Sequence, residues 1–277
     1  MRVAAATGSH TGTSARVLDA ERRAWREDGF FVRSGVFSVP ELEALRIAAE
    51  RVGAEAARLA TRAGRAYQID GNRYADVGAV TVQYEHEPGS STLRVVEPFH
   101  HLDPLFERLV GDPRIVTPMC DLVGVERVAL WTDKLNLKRA ERGSGFQWHQ
   151  DSPYWAHACE HLGRLPNVML ALDDADEENG CLRVVRGSHR RGVLSGREGE
   201  GVLGPLFTDP RAFDAADAVP AVLRAGSLLF FSPHSVHGSE PNHSERARRA
   251  CVLTYQPPGF DMFKQVGRRE WARPSTA

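Results

Sequence analysis

An α+β domain is the fold class this sequence predicts: a helical N-terminal portion over residues 14–124, then a core of short strands over 125–277 built as a barrel or double-sheet jelly roll. Three observations lead there. Apolar residues recur at steps of three and four from Leu42 to Leu59, the period of an amphipathic helix. After Val125 the texture changes to short β-rich runs with turn dipeptides between them. No long helical pattern separates those later runs, which suits a closed or two-layered all-strand core.

Residues 1–13 are small and polar and read as a tail. A first helix is predicted from about residue 15 to 28, with Leu18 and Trp25 on one face and Gly29 placed to stop it. The triplet Phe30-Phe31-Val32 suits a strand. Ser38-Val39-Pro40-Glu41 has the form of a capping box, with Pro40 tolerated in the first turn. The helix that follows carries Leu42, Leu45, Ala49, Val52, Ala56 and Leu59 on its packing face. Residues 64–100 mix short possible strands, glycines and polar or aromatic residues such as Tyr67, Tyr74, Gln83 and Tyr84, and define no firm element. A third helical region, 104–122, has possible breaks at Pro113 and Pro118 and ends at Gly124. Strands are predicted at 128–137, 146–149, 168–172, 181–185, 219–223, 227–232 and 250–256, with turns at Asn179-Gly180, Arg186-Gly187 and Ala225-Gly226. The stretch 190–218 is too long for a hairpin loop and reads as a lid or insertion within a single domain, 14–277.

With 277 residues, 42% of them hydrophobic, the chain can build a sizeable core without metal or disulfide support. A formal net charge of −1 argues against a general nucleic-acid or anionic-membrane partner, because neither polyanion would be drawn strongly. The basic clusters at 186–191 and 246–249 are local. Cys120, Cys159, Cys181 and Cys251 form no C-x-x-C pair, which fits reduced thiols in a cytoplasm. No signal-like apolar stretch opens the chain, and no window approaches the ~20 apolar residues of a membrane span. Nothing in the composition sets an oligomeric state.

The chemistry concentrates around Phe146-Gln147-Trp148-His149-Gln150-Asp151. On an extended chain alternate residues share a side, so His149 and Asp151 are expected to face one cavity while Gln150 faces away. His237 follows a second apolar strand. Two histidines and one carboxylate on one face of an octahedral metal leave three positions open, the ligand set of non-haem Fe(II) oxygenases. His-x-Asp alone is a weak signal, since a strand histidine is more often a hydrogen-bonded structural residue. The context after His237 decides: His237-Gly238-Ser239-Glu240-Pro241-Asn242, then Arg248 eleven residues beyond the histidine.

Here the chain resembles the phytanoyl-CoA dioxygenase family of Fe(II)/2-oxoglutarate oxygenases. The likeness extends to Trp148-His149-Gln150-Asp151, to Ala171-Leu172-Asp173-Asp174 with Glu178-Asn179-Gly180-Cys181-Leu182, to Gly187-Ser188-His189 and to Asp28-Gly29-Phe30-Phe31-Val32. It implies a double-stranded β-helix, or cupin-like, core. It also implies Fe(II) held by His149, Asp151 and His237, with 2-oxoglutarate and O₂ as co-substrates. Arg248 would grip the far carboxylate of 2-oxoglutarate, a role that suits a bidentate, permanently charged guanidinium. Arg246 and Arg249 compete for that role, but strand alternation turns Arg249 away and Arg246 lies in a polar loop. Ser239 and Asn136 match co-substrate contacts in relatives, with Lys134 a rival to Asn136 on the same face.

His234 is the rival to His237, while His100, His101, His157, His161, His189 and His243 read as surface, capping or turn residues. Trp131, Tyr154 and Trp155 are candidates for lining a substrate pocket, with core packing equally open to each. The resemblance implies 2-oxoglutarate decarboxylating to succinate and CO₂ as a small-molecule substrate is hydroxylated. Desaturation, epoxidation, cyclisation and peroxide formation are known outcomes of the same triad. Related halogenases carry a small residue at the carboxylate position, so Asp151 disfavours halogenation. An Ala- and Arg-rich composition points toward natural-product tailoring such as antibiotic biosynthesis. The competing readings are a fatty acyl-CoA hydroxylase, a jelly-roll metal isomerase that uses no 2-oxoglutarate, and a non-catalytic sensor on the same scaffold.

Overall fold

The computed structural model describes residues 16–264 and 267–274. The elements run α1 (Asp19–Glu27), β1 (Phe30–Arg33), α2 (Val39–Ala63), β2 (Arg65–Ile69), β3 (Asn72–Val77), β4 (Val80–Tyr84), β5 (Leu93–Glu97), α3 (Pro104–Leu109) and α4 (Pro113–Val123). They continue with β6 (Arg127–Lys138), β7 (Phe146–His149), α5 (Ser152–Trp155), β8 (Asn167–Ala171), β9 (Arg183–Val185), β10 (Ala218–Pro220), β11 (Leu228–Phe231), β12 (His237–Ser239), β13 (Arg248–Gln256) and β14 (Glu270–Ala272). Two antiparallel sheets result, a large one ordered β1-β11-β8-β13-β6-β5-β4-β3-β2, with β14 on β6, and a small one ordered β10-β9-β12-β7. This is the predicted α+β jelly-roll class.

The central strands of the large sheet are buried on both faces, which is why they read as unbroken apolar runs. Val168 and Leu170 of β8, Leu228 and Phe230 of β11, and Leu253 and Tyr255 of β13 pack outward into the core shared with α2 and α4. Met169, Ala171, Leu229, Phe231 and Ala250 alternate with them, facing Val184 and Val219 of the small sheet. Period-2 alternation therefore divides one strand between two cores.

Several boundaries differ from the sequence expectations. Helix α1 begins only at Asp19, because the Glu21 carboxylate folds back to accept the Leu18 N–H at 2.8 Å. Leu18 is 42% exposed and does not share a packing face with Trp25, which instead edges against Phe31. The tail at 1–13 lies outside the described residues. In α2 the capping box forms, with Glu41 accepting from the Ser38 N–H at 2.8 Å. Leu42, Leu45, Ala49, Val52 and Ala56 are buried, while Leu59 is only half-buried and Ala60 takes the final packing position. Pro118 lies inside α4 without breaking it, whereas Gly124 ends the helix at φ 78°, where a side chain would be strained.

The larger correction concerns 64–100. This stretch is four strands, β2 to β5, which extend the large sheet and give α2 the surface it packs on. The portion before Gly124 is thus strand as well as helix, and β1 pairs with β11 of the C-terminal half. Two further strands, β12 and β14, are three residues each, too short to carry a periodic signal. His100, expected at the surface or in a turn, is fully buried. Its Nδ1 lies 2.8 Å from Oδ2 of Asp133, whose Oδ1 accepts the Phe99 and His100 backbone N–H groups at 2.7 and 2.8 Å. That carboxylate ties the end of β5 to β6. Asp133→Ala leaves these donors buried without an acceptor, so a loss of about 3 kcal/mol is expected in urea unfolding. An unchanged midpoint would show the clasp to be dispensable.

Candidate active site

A cavity open to solvent lies between the two sheets. At one end β7 and β12 pair so that His149 and His237 are direct cross-strand partners, their ring centroids 4.2 Å apart. Asp151 joins them by a different route from the one expected. The strand stops at His149, and Asp151 has turned into helical backbone (φ −74°, ψ −31°) as the residue capping α5. Its carboxylate still reaches the histidines, and donor atoms of His149, Asp151 and His237 all lie within 4.8 Å of one another. Gln150 points away as expected, holding the Gly192 and His234 carbonyls at 2.7 and 2.6 Å and accepting the Leu194 N–H at 2.7 Å.

The hydrogen bonds fix which atoms face the centre. His149 Nδ1 lies 2.7 Å from the Gln147 carbonyl, and His237 Nδ1 lies 2.9 Å from that of Ser235. A carbonyl only accepts, so each Nδ1 carries the hydrogen and each Nε2 presents a lone pair inward. His149 lines the cavity and is partly exposed. Burial, then the neighbouring His237, pushes its pKa down to about 3. Burial alone would raise Asp151, but neighbouring charge, chiefly Lys134 3.6 Å away, outweighs it and holds the carboxylate below its ordinary value. Two neutral imidazoles and one carboxylate are the donor chemistry that suits a ferrous ion.

Asn167 is a residue the sequence reasoning missed. Its Nδ2 donates to Asp151 Oδ2 at 2.9 Å, while its own Oδ1 accepts from Thr254 at 2.6 Å. This chain fixes the carboxylate against the large sheet. No local motif advertises it, because Asn167 comes from β8 and Thr254 from β13.

Arg248, the first residue of β13, lines the cavity and is 3% exposed. Among the described residues no group accepts a hydrogen bond or forms an ion pair with it, and burial pushes its pKa down to about 10. Its rivals are spoken for: Arg249 pairs with Asp173 at 2.8 Å and Glu50 at 3.0 Å, and exposed Arg246 pairs with Asp176 at 2.7 Å. Ser239 is buried in the cavity wall and accepts from Lys138 Nζ at 2.9 Å, which leaves its own hydroxyl hydrogen free for the cavity. Lys138 also contacts the Gly180 and Glu240 carbonyls, and burial, with Arg248 and Arg94 nearby, pushes its pKa down to about 6. Gly180 (φ 71°) belongs to this packing, since a Cβ there would meet the Glu240 carbonyl at 2.3 Å.

Asn136 and Lys134, alternate residues of β6, both line the cavity, as does Tyr154, whose ring edges against His149 at 5.8 Å. Trp131 and Trp155 do not line it. They pack on each other at 6.2 Å in a separate cluster with Leu165, against which Tyr154 also packs. His234 is also excluded, its Nδ1 bonded to Ser152 Oγ at 2.6 Å. Gly187-Ser188-His189 is structural: Ser188 Oγ accepts the Val236 N–H at 2.9 Å and so steadies the approach to His237. The stretch 190–218 closes over the site. Phe207 bridges to His149, Thr208 donates to the Trp148 carbonyl at 2.9 Å, and the Leu203 N–H reaches Asp70 in the β2–β3 turn at 2.6 Å.

Fold and centre together define an iron- and 2-oxoglutarate-dependent dioxygenase of small molecules. The chain belongs to the phytanoyl-CoA dioxygenase (PhyH) family, whose model matches residues 25–250. Ectoine dioxygenase of Bordetella parapertussis is 27% identical over 259 residues, covering 88% of this chain and 77% of the relative. L-proline trans-4-hydroxylase of Streptomyces griseoviridis is 29% identical over 187 residues, covering 61% and 69%. Among solved structures, EctD from S. alaskensis with 2-oxoglutarate and 5-hydroxyectoine aligns with a TM-score of 0.68 at 22% identity, covering 99% of this chain and 91% of that one. SnoK, an alpha-ketoglutarate-dependent carbocyclase from nogalamycin biosynthesis, aligns with a TM-score of 0.67 at 20% identity, covering 93% and 91%. Both structural likenesses concern the fold.

The depressed His149 predicts an acid response in the metal-free protein. The unfolded chain takes up a proton near the ordinary value of 6.5 and the folded one only near 3, so stability is full above 6.5 and falls as pH drops through that window. Urea midpoints measured between about pH 7.5 and pH 4 should show this slope, reduced in His149→Gln. A slope identical in both proteins would assign it to other groups.

Proposed function

We propose that His149, Asp151 and His237 hold Fe(II) and that Arg248 receives the distal carboxylate of 2-oxoglutarate. The observation that carries this reading is a pair of complementary features of one cavity. Three inward lone-pair donors converge within 4.8 Å, and a fully buried guanidinium lacks any acceptor in the described protein. A buried, unpaired guanidinium is costly unless a ligand supplies the counter-charge, and a carboxylate meets its planar fork with two hydrogen bonds. The Ser239 hydroxyl donates to the same carboxylate, and Asn136 supports the co-substrate from β6. When bound, Fe(II) with 2-oxoglutarate and O₂ supplies the power to oxidise an unactivated C–H bond, at the cost of 2-oxoglutarate going to succinate and CO₂. The chain's own groups position the reactants. Asn167 and Lys134 keep the Asp151 carboxylate ionised and oriented, the two carbonyl-anchored imidazoles keep their tautomers, and Phe207 with the 190–218 stretch keeps bulk water out.

The substrate of this reading is a compact polar molecule that enters past Tyr154 and is hydroxylated. Ectoine, L-proline and methylphosphonate, named for the relatives, are compact polar molecules of this kind. Tailoring of a secondary metabolite such as an antibiotic is the setting in keeping with the Ala- and Arg-rich composition. We assign the enzyme to the cytoplasm on its four free cysteines, and no helix among the described residues is long and apolar enough to cross a membrane.

Anaerobic addition of 2-oxoglutarate to the Fe(II)-loaded protein should produce a weak charge-transfer band near ~500 nm, lost in His149→Ala. Iron bound without such a band would remove 2-oxoglutarate from the reading. Arg248→Gln should weaken 2-oxoglutarate by ~100-fold while metal affinity holds, the usual cost of removing one partner of a buried charged pair. An unaltered affinity would move the clamp elsewhere.

A further inference from the structure

A second buried guanidinium reaches the same cavity. Arg94 of β5 is 6% exposed and lines the cavity beside Val95 and Glu97. Its planar group lies 4.1 Å from the centre of the Phe146 ring, Nη2 donates to the Gly145 carbonyl at 2.9 Å, and Nη1 contacts His86. These contacts are all with neutral groups and hold the side chain in place without an ion pair. Nε has no partner, and among the described residues Arg94 forms no ion pair. The buried Glu85 carboxylate, whose field reaches Arg94 without forming an ion pair, accepts the Ser144 N–H at 2.9 Å through one oxygen. The other cavity cation, Lys134, is already answered by Asp151.

Arg94 is also distinct in position from the co-substrate clamp. Arg248 is on β13 and Arg94 on β5, with β6 between them, so two strand spacings of about 5 Å each separate their backbones. The field of Arg94 reaches both Tyr74 and Tyr154, and Tyr154 is the ring that edges against His149. Phe146, which Arg94 stacks on, is on the same strand as His149.

We propose that Arg94 anchors a substrate subsite, taking a small molecule through an oxyanion such as a carboxylate or phosphonate. The assignment rests on the reading above in one respect, that the Arg248 end of the cavity belongs to 2-oxoglutarate. A buried cation gripping one end of the substrate makes it a specificity-determining residue: an uncharged analogue leaves the guanidinium desolvated and unpaired, so it is rejected more strongly than its lost hydrogen bonds alone account for.

The test is isothermal titration of the Fe(II)- and 2-oxoglutarate-loaded protein, without O₂, using L-proline, methylphosphonate and the uncharged-end analogue L-prolinamide as probes. L-Proline and methylphosphonate should bind more tightly than L-prolinamide. Arg94→Gln should weaken the two anions by ~10-fold or more and leave 2-oxoglutarate within ~3-fold, while Arg94→Lys, which keeps the charge, should recover most of the loss. The assignment is overturned if L-prolinamide binds as well as L-proline. Anion affinity unaffected by Arg94→Gln overturns it too, as does an equal loss of 2-oxoglutarate affinity, which would place Arg94 in the co-substrate clamp. Should Arg94→Gln not fold, the L-proline and L-prolinamide comparison with Arg94→Lys still decides. A protein that rejects 2-oxoglutarate yet holds the anions through Arg94 would retire the oxygenase reading and leave the subsite standing.

Discussion

The antiparallel register that sets His237 opposite His149 is the constraint on which the site depends, and it is made by only two short strands of the small sheet. Each imidazole is anchored to the carbonyl two residues before it, so ring orientation follows directly from strand geometry. The third donor, Asp151, lies two residues beyond His149, where the chain has left the strand for helical backbone. From there Asp151 is tied to Asn167, and through it to Thr254, which joins the centre to the large sheet. Both layers of the jelly roll therefore hold the cluster.

Between those layers the interior is polar where most of the protein is apolar. Lys134, Asp151, Arg94 and Arg248 all border one cavity, although charged side chains are rarely buried unless paired. Lys134 and Asp151 pair with each other, while among the described residues neither arginine forms an ion pair. Local sequence–structure consistency fails in this region and holds in the surrounding cores, the pattern expected where function rather than stability sets the residue. On the proposed reading, anionic ligands recover the desolvation the arginines carry, so binding and specificity draw on the same source.

The outer shell keeps that cavity shaped. α2 covers β3, β4 and β5, the Asp133 clasp fixes the end of β5 to β6, and the β2–β3 turn meets the 190–218 stretch across the mouth. Elements far apart in sequence thus close one opening, with Phe207 against His149 at the inner edge.

Much of this was legible in the sequence. The period of α2, its Ser38–Glu41 cap and the apolar runs of β6, β8, β11 and β13 depend on neighbours a few residues away, and local pattern is sufficient for them. The spacing of His149 and Asp151, the Gly-Ser after His237 and the step to Arg248 marked the candidate site for the same reason. Tertiary structure alone decided the rest. β2 to β5 are strands because a sheet edge and α2 receive them, and three-residue strands such as β12 exist only through their partners. Trp131 and Trp155 left the cavity and Arg94 and Asn167 entered the site through pairings between distant strands. Those contacts join residues tens of positions apart, where a local pattern carries no information about which side chains will meet.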